Sequence, residues 1–281
     1  NAGGAWSPIG DVTTIMLWIG GKVSTLNIIT ATLLPSVISL LVPLIILSFI
    51  MKGEIQNPQS TMEEESEKPK EWQRRLFLIL GVSCLVGVPI FKTLTHLPPY
   101  IGMMGGLSIL WMTSEIVHRS TRESFNEKYA ITNVITRVDV PSILFFLGIL
   151  LAVNALGTVG HLSLFANGLD SISLGEPHKY YSIGTIIGIM SSIVDNVPLV
   201  AATMGMYDFP LDHYFWSFIA YCAGTGGSLL IIGSAAGVAV MGMEKIDFIW
   251  YLKHISWIAV VGYLAGVLTF IAQHAIMGLN I

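Results

Sequence analysis

The sequence has few charged residues and almost no cysteine. Charged residues occupy 11% of the 281 positions and hydrophobic residues 53%, whereas a soluble domain carries about 25% charged residues. The two cysteines, Cys84 and Cys222, fall inside apolar stretches, which excludes a disulfide framework. Short alternating strands, typical of outer-membrane barrels, are also lacking. The composition therefore predicts an all-α integral membrane protein.

One apolar stretch is too long and too rich in glycine to be a simple spanning helix. A continuous helix over residues 214–243 would measure roughly 45 Å, against a hydrocarbon thickness of about 30 Å. Gly224, Gly226 and Gly227 lie near its middle, where each glycine costs about 1 kcal/mol relative to alanine. We predict a helix that breaks at residues 224–227. Open backbone at membrane depth is tolerated where it lines a cavity, and it can then hold an ion.

The same pattern occurs at the start of the sequence. Gly3 and Gly4 align with Gly226 and Gly227, and the pair Ile9-Gly10 aligns with Ile232-Gly233, all at one constant offset. Two interrupted apolar segments in corresponding places point to the binding site of a secondary transporter. A chance match between two glycine-rich membrane helices is the alternative.

The polar linkers divide the sequence into parts of an inverted-repeat transporter. Residues 1–51 are expected to end a first repeat, with half of a broken helix and one span at 30–51, and residues 52–75 to form a cytoplasmic linker. Since Asn1 opens in the middle of the motif without an initiator methionine, we expect the first part of the protein to be missing. The second repeat, 76–281, is predicted to contain spans at 76–93, 97–117 and 140–159, a polar loop at 161–179, a re-entrant hairpin at 180–207, a broken helix at 214–243 and a last span at 248–277.

Lysine and arginine predict the orientation. Residues 52–75 carry five and residues 118–138 carry four, whereas the loop between the two intervening spans carries only Lys92. By the positive-inside rule both linkers are cytoplasmic. The first broken helix then leaves the membrane on the outside near Lys22, and the second on the inside near Glu244. The two copies are therefore predicted to run in opposite directions.

Two acidic residues fall inside the predicted membrane segments. Asp11 follows the first break, and Asp195 lies at the hairpin tip beside Asn196. A carboxylate at this depth costs several kcal/mol unless it is paired or faces a cavity, and no Lys or Arg is near either one in sequence. Burial favours the protonated form and a bound cation favours the carboxylate, so such a group can exchange H+ for Na+. Alternatively, Asp195 and Asn196 cap the returning half-helix ahead of Pro198.

Hard oxygen ligands suit Na+. The candidate Na+ ligands with the greatest weight are Asp195, Asn196 and Asp11. The further candidates for ion binding and proton exchange are Asn1, Ser7, Thr13, Thr14, Ser191, Ser192, Thr225 and Ser228, with the backbone of the helix breaks at Gly3, Gly4, Gly226 and Gly227.

Two segments, 1–14 and 191–200, resemble the signature segments of NhaD-type sodium/proton antiporters, members of the ion transporter superfamily that also includes arsenite permeases and dicarboxylate carriers. The resemblance implies efflux of Na+ and Li+ driven by inward H+, an inverted repeat with two re-entrant hairpins and two broken helices, and often a homodimer. The family's earlier helices and first hairpin, with a matching Asp-Asn tip, are absent from this sequence. Half of the expected site thus lies outside it, and this stretch alone is not expected to transport.

The sequence therefore predicts an electrogenic or neutral Na+/H+ antiporter of a bacterial inner membrane that works by alternating access, with no cofactor, no enzymatic activity and no nucleic-acid partner. One alternative is a Na+-coupled carrier of an anionic solute, a dicarboxylate or an oxyanion such as arsenite or arsenate, held by half-helix N-termini. Asp11 and Asp195 would repel such a substrate. A membrane enzyme would need a nucleophile–base pair or a metal cluster, neither of which we recognise. Inverted repeats favour a carrier over a channel.

Overall fold

A computed structural model describes residues 1–50, 70–118, 136, 140–171 and 174–277. Most of the two predicted linkers, 52–75 and 118–139, lies outside the described residues. The described part contains helices and no strand, which confirms the all-α prediction. The helices are α1 (Ala2–Ala5), α2 (Val12–Ile19), α3 (Thr25–Ile50), α4 (Glu71–Thr95), α5 (Pro99–His118), α6 (Val140–Thr158), α7 (His161–Asp170), α8 (His178–Met190), α9 (Asn196–Met206), α10 (Tyr214–Gly226), a 3₁₀ turn (Ile231–Gly233), α11 (Ala235–Met243), α12 (Phe248–His254) and α13 (Ser256–Met277).

The described residues form two compact units. One contains α4 and α5, which pack against each other through close contacts of Gly102 with Phe91 and of Gly106 with Cys84. The other contains residues 1–50, 144–171 and 174–277, and it holds both copies of the broken-helix motif. Four of the described helices are long and apolar enough to cross a membrane, or five if a bent pair counts as one span.

Helix α10 is the centre of the larger unit. Every residue from Phe215 to Gly226 is buried, as expected for a helix that is apolar all round. It packs against α1, α2, α3, α8, α9 and α13. Its 13 residues measure about 20 Å, so α10 reaches only partway through a bilayer and ends inside the protein.

The last helix, α13, packs along α3 at two glycines. A β-carbon on Gly262 would collide with Pro43, and one on Gly266 would lie 2.8 Å from the Pro35 carbonyl oxygen. Both prolines lie inside α3. The glycines therefore allow close contact at the two turns where α3 carries a proline.

Helices α8 and α9 form the predicted hairpin. The ring centroids of Tyr180, near its entry, and Tyr207, at its exit, lie 6.2 Å apart, so the chain enters and leaves at one end of the unit. The turn at residues 191–195 lies at the other end of α10, where the Ser191 hydroxyl donates to the Ala223 carbonyl oxygen at 2.8 Å. The hairpin therefore folds back on itself beside the helix break.

The two broken helices run in opposite directions. The Asp212 backbone N–H, just before α10, donates to the Lys22 carbonyl oxygen, just after α2, at 3.0 Å. At the other ends of the same two helices, Gly224 lies beside the Asp11 carboxylate. Thus α2 leads away from its break to the face where α10 begins, as the predicted inversion requires.

Three elements differ from the sequence prediction. The predicted loop at 161–179 contains α7, which turns by 80° from the end of α6 and buries Leu162 and Ala166 on one side. The last span is interrupted at Ile255 between α12 and α13. The second break begins at Gly227 and extends to residue 234, later than predicted, because Gly224 and Gly226 are helical and fit against Ala5 and Gly188.

Candidate functional site

The backbone crosses itself in the same way in each of the two helix breaks. A β-carbon on Gly4 would lie 2.7 Å from the Gly10 carbonyl oxygen, and one on Gly227 would lie 2.6 Å from the Gly233 carbonyl oxygen. Real β-carbons do not approach an oxygen this closely, so each crossing needs glycine. The two pairs occupy aligned positions of the repeated motif, which therefore extends from sequence to backbone geometry.

The half-helices that follow the breaks begin in the same way. Asp11 caps α2 and Ser234 caps α11, both with extended backbone. The Asp11 carbonyl oxygen accepts from the Ile15 N–H, and the Ser234 carbonyl oxygen accepts from the Val238 N–H, each at 3.0 Å. The aligned caps differ in chemistry, since one side chain is a carboxylic acid and the other a hydroxyl.

The Asp11 carboxylate meets the hairpin tip. Its Oδ2 accepts a hydrogen bond of 3.2 Å from the Asn196 side-chain amide and another from the Thr13 hydroxyl. Asn196 and Thr13 are buried and Asp11 is half-buried. The Thr14 hydroxyl donates to the Asp11 carbonyl oxygen at 2.8 Å. One side chain of the first broken helix, Thr13, and one of the hairpin, Asn196, thus converge on the same oxygen atom of Asp11.

Asp195 adds a second carboxylate. It is half-buried, occupies the N-cap position of α9 and lies within electrostatic range of Asp11. In the described part of the chain, the ion pairs of Lys and Arg involve other carboxylates, so neither Asp11 nor Asp195 has a basic partner. We name Asp11, Thr13, Asp195 and Asn196 the acidic cluster.

A second group of polar side chains lies at the start of the second break. The Asn1 side-chain amide donates to the Ser228 hydroxyl at 2.7 Å, and the Tyr251 hydroxyl donates to the Ser228 carbonyl oxygen at 2.9 Å. Asn1 and Ser228 are among the candidates predicted from the sequence, and Tyr251 is not. Nothing in the sequence around Tyr251 indicates a contact with a break 23 residues earlier.

The remaining predicted hydroxyls contact backbone groups. Ser191 and Ser192 donate to the carbonyl oxygens of Ala223 and Ile189, and Thr225 donates to that of Tyr221. The Ser7 hydroxyl accepts from the Ile9 N–H at 3.3 Å. These hydrogen bonds stabilise the ends of the half-helices and the turns beside them. Gly3, Gly4 and Gly226 lie within the last turns before the breaks, and Gly227 caps α10.

The donor set of the acidic cluster fits a small monovalent cation. The described residues hold no group of three or more His, Cys, Asp or Glu side chains of the kind that retains a metal ion. Two carboxylates, an amide and a hydroxyl supply hard oxygen atoms.

Two opposed broken helices meet a hairpin tip at half-buried carboxylates, an arrangement typical of secondary membrane transporters. The sequence profile of the citrate transporter family, CitMHS, matches residues 1–218. The chain belongs to this family, and it is a multi-pass membrane protein. No solved structure matches it.

Curated relatives carry antiporter names. The chain is 49% identical to Sodium/proton antiporter 1 of Arabidopsis thaliana, over 98% of this chain and 47% of the relative. It is 45% identical to Sodium/proton antiporter 2 of the same plant, over 98% of this chain and 65% of the relative. It is 32% identical to the Na+/H+ antiporter NhaD of Alkalimonas amylolytica, over 95% of this chain and 57% of the relative. These matches confirm the resemblance to NhaD-type antiporters, and the chain spans about half the length of the curated relatives it matches.

Proposed function

We propose that this chain forms part of a Na+/H+ antiporter and that the acidic cluster binds the exchanged ions. The observation that carries the proposal is the pairing of Asp11 with Asn196 beside Asp195, with no basic partner among the described residues. Two neighbouring carboxylates without a counter-charge are stable when they hold a proton or a cation. Na+ and H+ therefore compete for the same oxygen atoms, and this competition couples their opposed fluxes.

Each residue of the cluster has a role in this proposal. Asp11 and Asp195 carry the exchangeable charge. Asn196 and Thr13 donate to Asp11 Oδ2, which orients the carboxylate, and their own oxygen atoms can bind Na+. The open backbone of the breaks, with Ser228, Asn1 and the other predicted hydroxyls, would line the path, since carbonyl oxygens can replace the hydration shell of a cation.

The proposal also covers the transported ions, the oligomeric state and the membrane in which the protein resides. We propose Na+, Li+ and H+ as transported ions, with no cofactor, no enzymatic activity and no nucleic-acid partner, and a homodimer in the lipid bilayer. A bacterial inner membrane is part of the proposal, and the bacterial relatives named NhaD support it. The plant relatives are more similar in sequence than the bacterial ones, so the location needs a direct test. Microscopy of a fluorescent fusion in the source cells would show which membrane contains the protein.

Reconstitution tests the activity. The full-length protein is placed in proteoliposomes, and a pH-sensitive dye reports the interior pH while Na+, Li+, K+ or citrate is added outside. We expect a proton flux with Na+ and Li+ that K+ does not evoke and that needs no organic solute. A flux that appears only with citrate, a dicarboxylate or an oxyanion would replace antiport by coupled anion transport.

A further inference from the structure

The two oxygen atoms of Ser228 are both held by side chains from distant elements. Tyr251 of α12 donates to the carbonyl oxygen at 2.9 Å, and Asn1 donates to the hydroxyl at 2.7 Å. Resting on the proposed antiport, we propose that Tyr251 is a positioning residue for cation transport, which orients the Ser228 carbonyl in the wall of the ion path.

The backbone around Ser228 explains why a side-chain donor is needed. Helix α10 ends at Gly226, and the N–H groups of Ser228 and Leu229 turn back to the Thr225 and Gly226 carbonyl oxygens. Beyond this turn, the backbone bonds of the break do not include one to the Ser228 carbonyl. Tyr251 supplies the donor that a continuing helix would have supplied. A carbonyl oxygen has two lone pairs, so the one that Tyr251 leaves can face a cation.

A cavity lies beside Ser228 and Tyr251. It has a volume of about 320 Å³, and its polar lining comes from Asn1, Ser39, Thr225, Ser228, Tyr251 and Tyr263. The start of α1, the second break and helices α3, α10, α12 and α13 contribute to the lining, which also includes apolar side chains such as Leu44 and Ile258. The cavity has room for several waters beside its polar groups. The acidic cluster is not part of the lining. The cavity therefore leads to the second break from a side that the acidic cluster does not occupy.

The charge pattern predicts which side this is. Helix α11 leaves the break toward Glu244 and Lys245, the end predicted to be cytoplasmic, and α12 follows directly. Tyr251 thus stands between the cytoplasmic end and the break. A cation arriving from that side meets the Ser228 carbonyl before it meets Asp11, and a fixed carbonyl takes over part of its hydration shell.

The test compares Tyr251→Phe with Tyr100→Phe in full-length protein. The first variant removes the hydroxyl and retains the ring, and Tyr100 is an exposed residue of α5 in the other compact unit. Proteoliposome flux gives KM and kcat for Na+ and for Li+, and thermal unfolding in detergent gives the midpoint. We expect Tyr251→Phe to raise the KM for Na+ by about five- to tenfold, as for loss of one hydrogen bond, and to change the Na+/Li+ preference. Its kcat and unfolding midpoint should match those of Tyr100→Phe.

The outcomes separate this inference from the function on which it rests. Absence of Na+-dependent flux in the wild type overturns the antiport proposal and this inference together. Normal wild-type flux with the same KM and Na+/Li+ preference in both variants overturns the inference alone, as does a lower midpoint with unchanged KM. Binding of ²²Na+ to the monodisperse detergent-solubilised fraction decides the question if Tyr251→Phe reconstitutes poorly, since weaker binding is expected and unchanged binding contradicts it.

Discussion

The Asn196 side-chain amide donates a hydrogen bond of 3.2 Å to the Asp11 carboxylate. This contact joins the hairpin tip to the first helix break across 185 positions of sequence. It places the amide of one repeat on the acid of the other. If Asp11 binds the exchanged ions as proposed, ion binding and the position of the hairpin tip relative to the first break are linked through a single oxygen atom, Asp11 Oδ2.

Replacing either carboxylate should stop exchange. Asp195→Asn and Asp11→Asn retain size and remove the exchangeable charge, so we expect Na+-dependent proton flux to fall to the level of empty liposomes while membrane insertion is normal. Asp208→Asn is the matched control, because Asp208 lies between α9 and α10 and its side chain is fully exposed. Normal exchange by Asp195→Asn would remove Asp195 from the site.

The Asn196–Asp11 bond should contribute to Na+ affinity. Asn196→Ala is expected to raise the KM for Na+ by about five- to tenfold, because Asp11 loses one orienting donor. Asn154→Ala, at an exposed position of α6, is the control. In a double-mutant cycle, Asn196→Ala should add little to the effect of Asp11→Asn on ²²Na+ binding. Additive losses would show that Asn196 acts independently of Asp11.

Alanine substitutions at the neighbouring residues Gly3 and Gly4 should have very different effects on stability. A β-carbon on Gly4 would meet the Gly10 carbonyl at 2.7 Å, whereas one on Gly3 has no atom within 4 Å. We expect Gly4→Ala to lower the free energy of unfolding by about 1–3 kcal/mol and Gly3→Ala to leave it nearly unchanged. Thermal unfolding of the purified variants measures both. Equal midpoints would contradict the crossing.

Asp212 should stabilise the junction between α2 and α10. Its Oδ1 accepts from the Ser24 N–H at 2.6 Å, and its φ is 63°. Asp212→Ala loses the acceptor at a strained backbone position, so we expect a loss of about 1–2 kcal/mol in stability. Asp212→Asn retains an acceptor and tolerates this backbone. Asp208→Ala should have little effect, because the Lys22–Asp208 pair is exposed at the Asp208 side and such pairs contribute little.

His213 should make stability fall at acid pH. Burial lowers the pKa of His213, with Glu176 opposing this shift and His274 adding to it. Its Nδ1 accepts from the Phe215 N–H at 3.3 Å, at the start of α10, which requires the neutral ring. A pKa lowered by folding gives stability that is present above the ordinary value of about 6.5 and is lost as the pH falls through the lowered pKa.

The measurement is the unfolding midpoint between pH 7.5 and 5. We expect a smaller decline for His213→Asn than for the wild type, because asparagine caps the helix without titrating. The same decline in both proteins would assign the pH dependence to other groups.

Local patterns predicted the breaks and the hairpin because their causes are local. Clustered glycine weakens a helix wherever it occurs, and an Asp-Asn-Val-Pro sequence stops one and starts the next. The predicted start of the second break was wrong because Gly224 and Gly226 are helical and make close contacts with α1 and α8. A close contact between helices and a helix break both favour glycine, so the sequence does not distinguish them.

Long-range contacts could not be predicted in this way. The sequence predicted that Asp11 and Asp195 both lie in membrane segments, but the bond from Asn196 to Asp11 depends on how α9 packs against α2. Tyr251, which bonds to Ser228, belongs to α12, and the chain is interrupted at Ile255 between α12 and α13. A single apolar run hides such an interruption, since no glycine or proline marks it.

The paired crossings of Gly4 with Gly10 and of Gly227 with Gly233 also bear on ancestry. Duplication of one segment would account for the shared path, because both pairs have the same spacing and all four positions are glycine. The residues that cap the following half-helices differ, since Asp11 is an acid and Ser234 an alcohol. The crossing therefore fixes the glycines in both copies, whereas the cap that follows it can carry different chemistry.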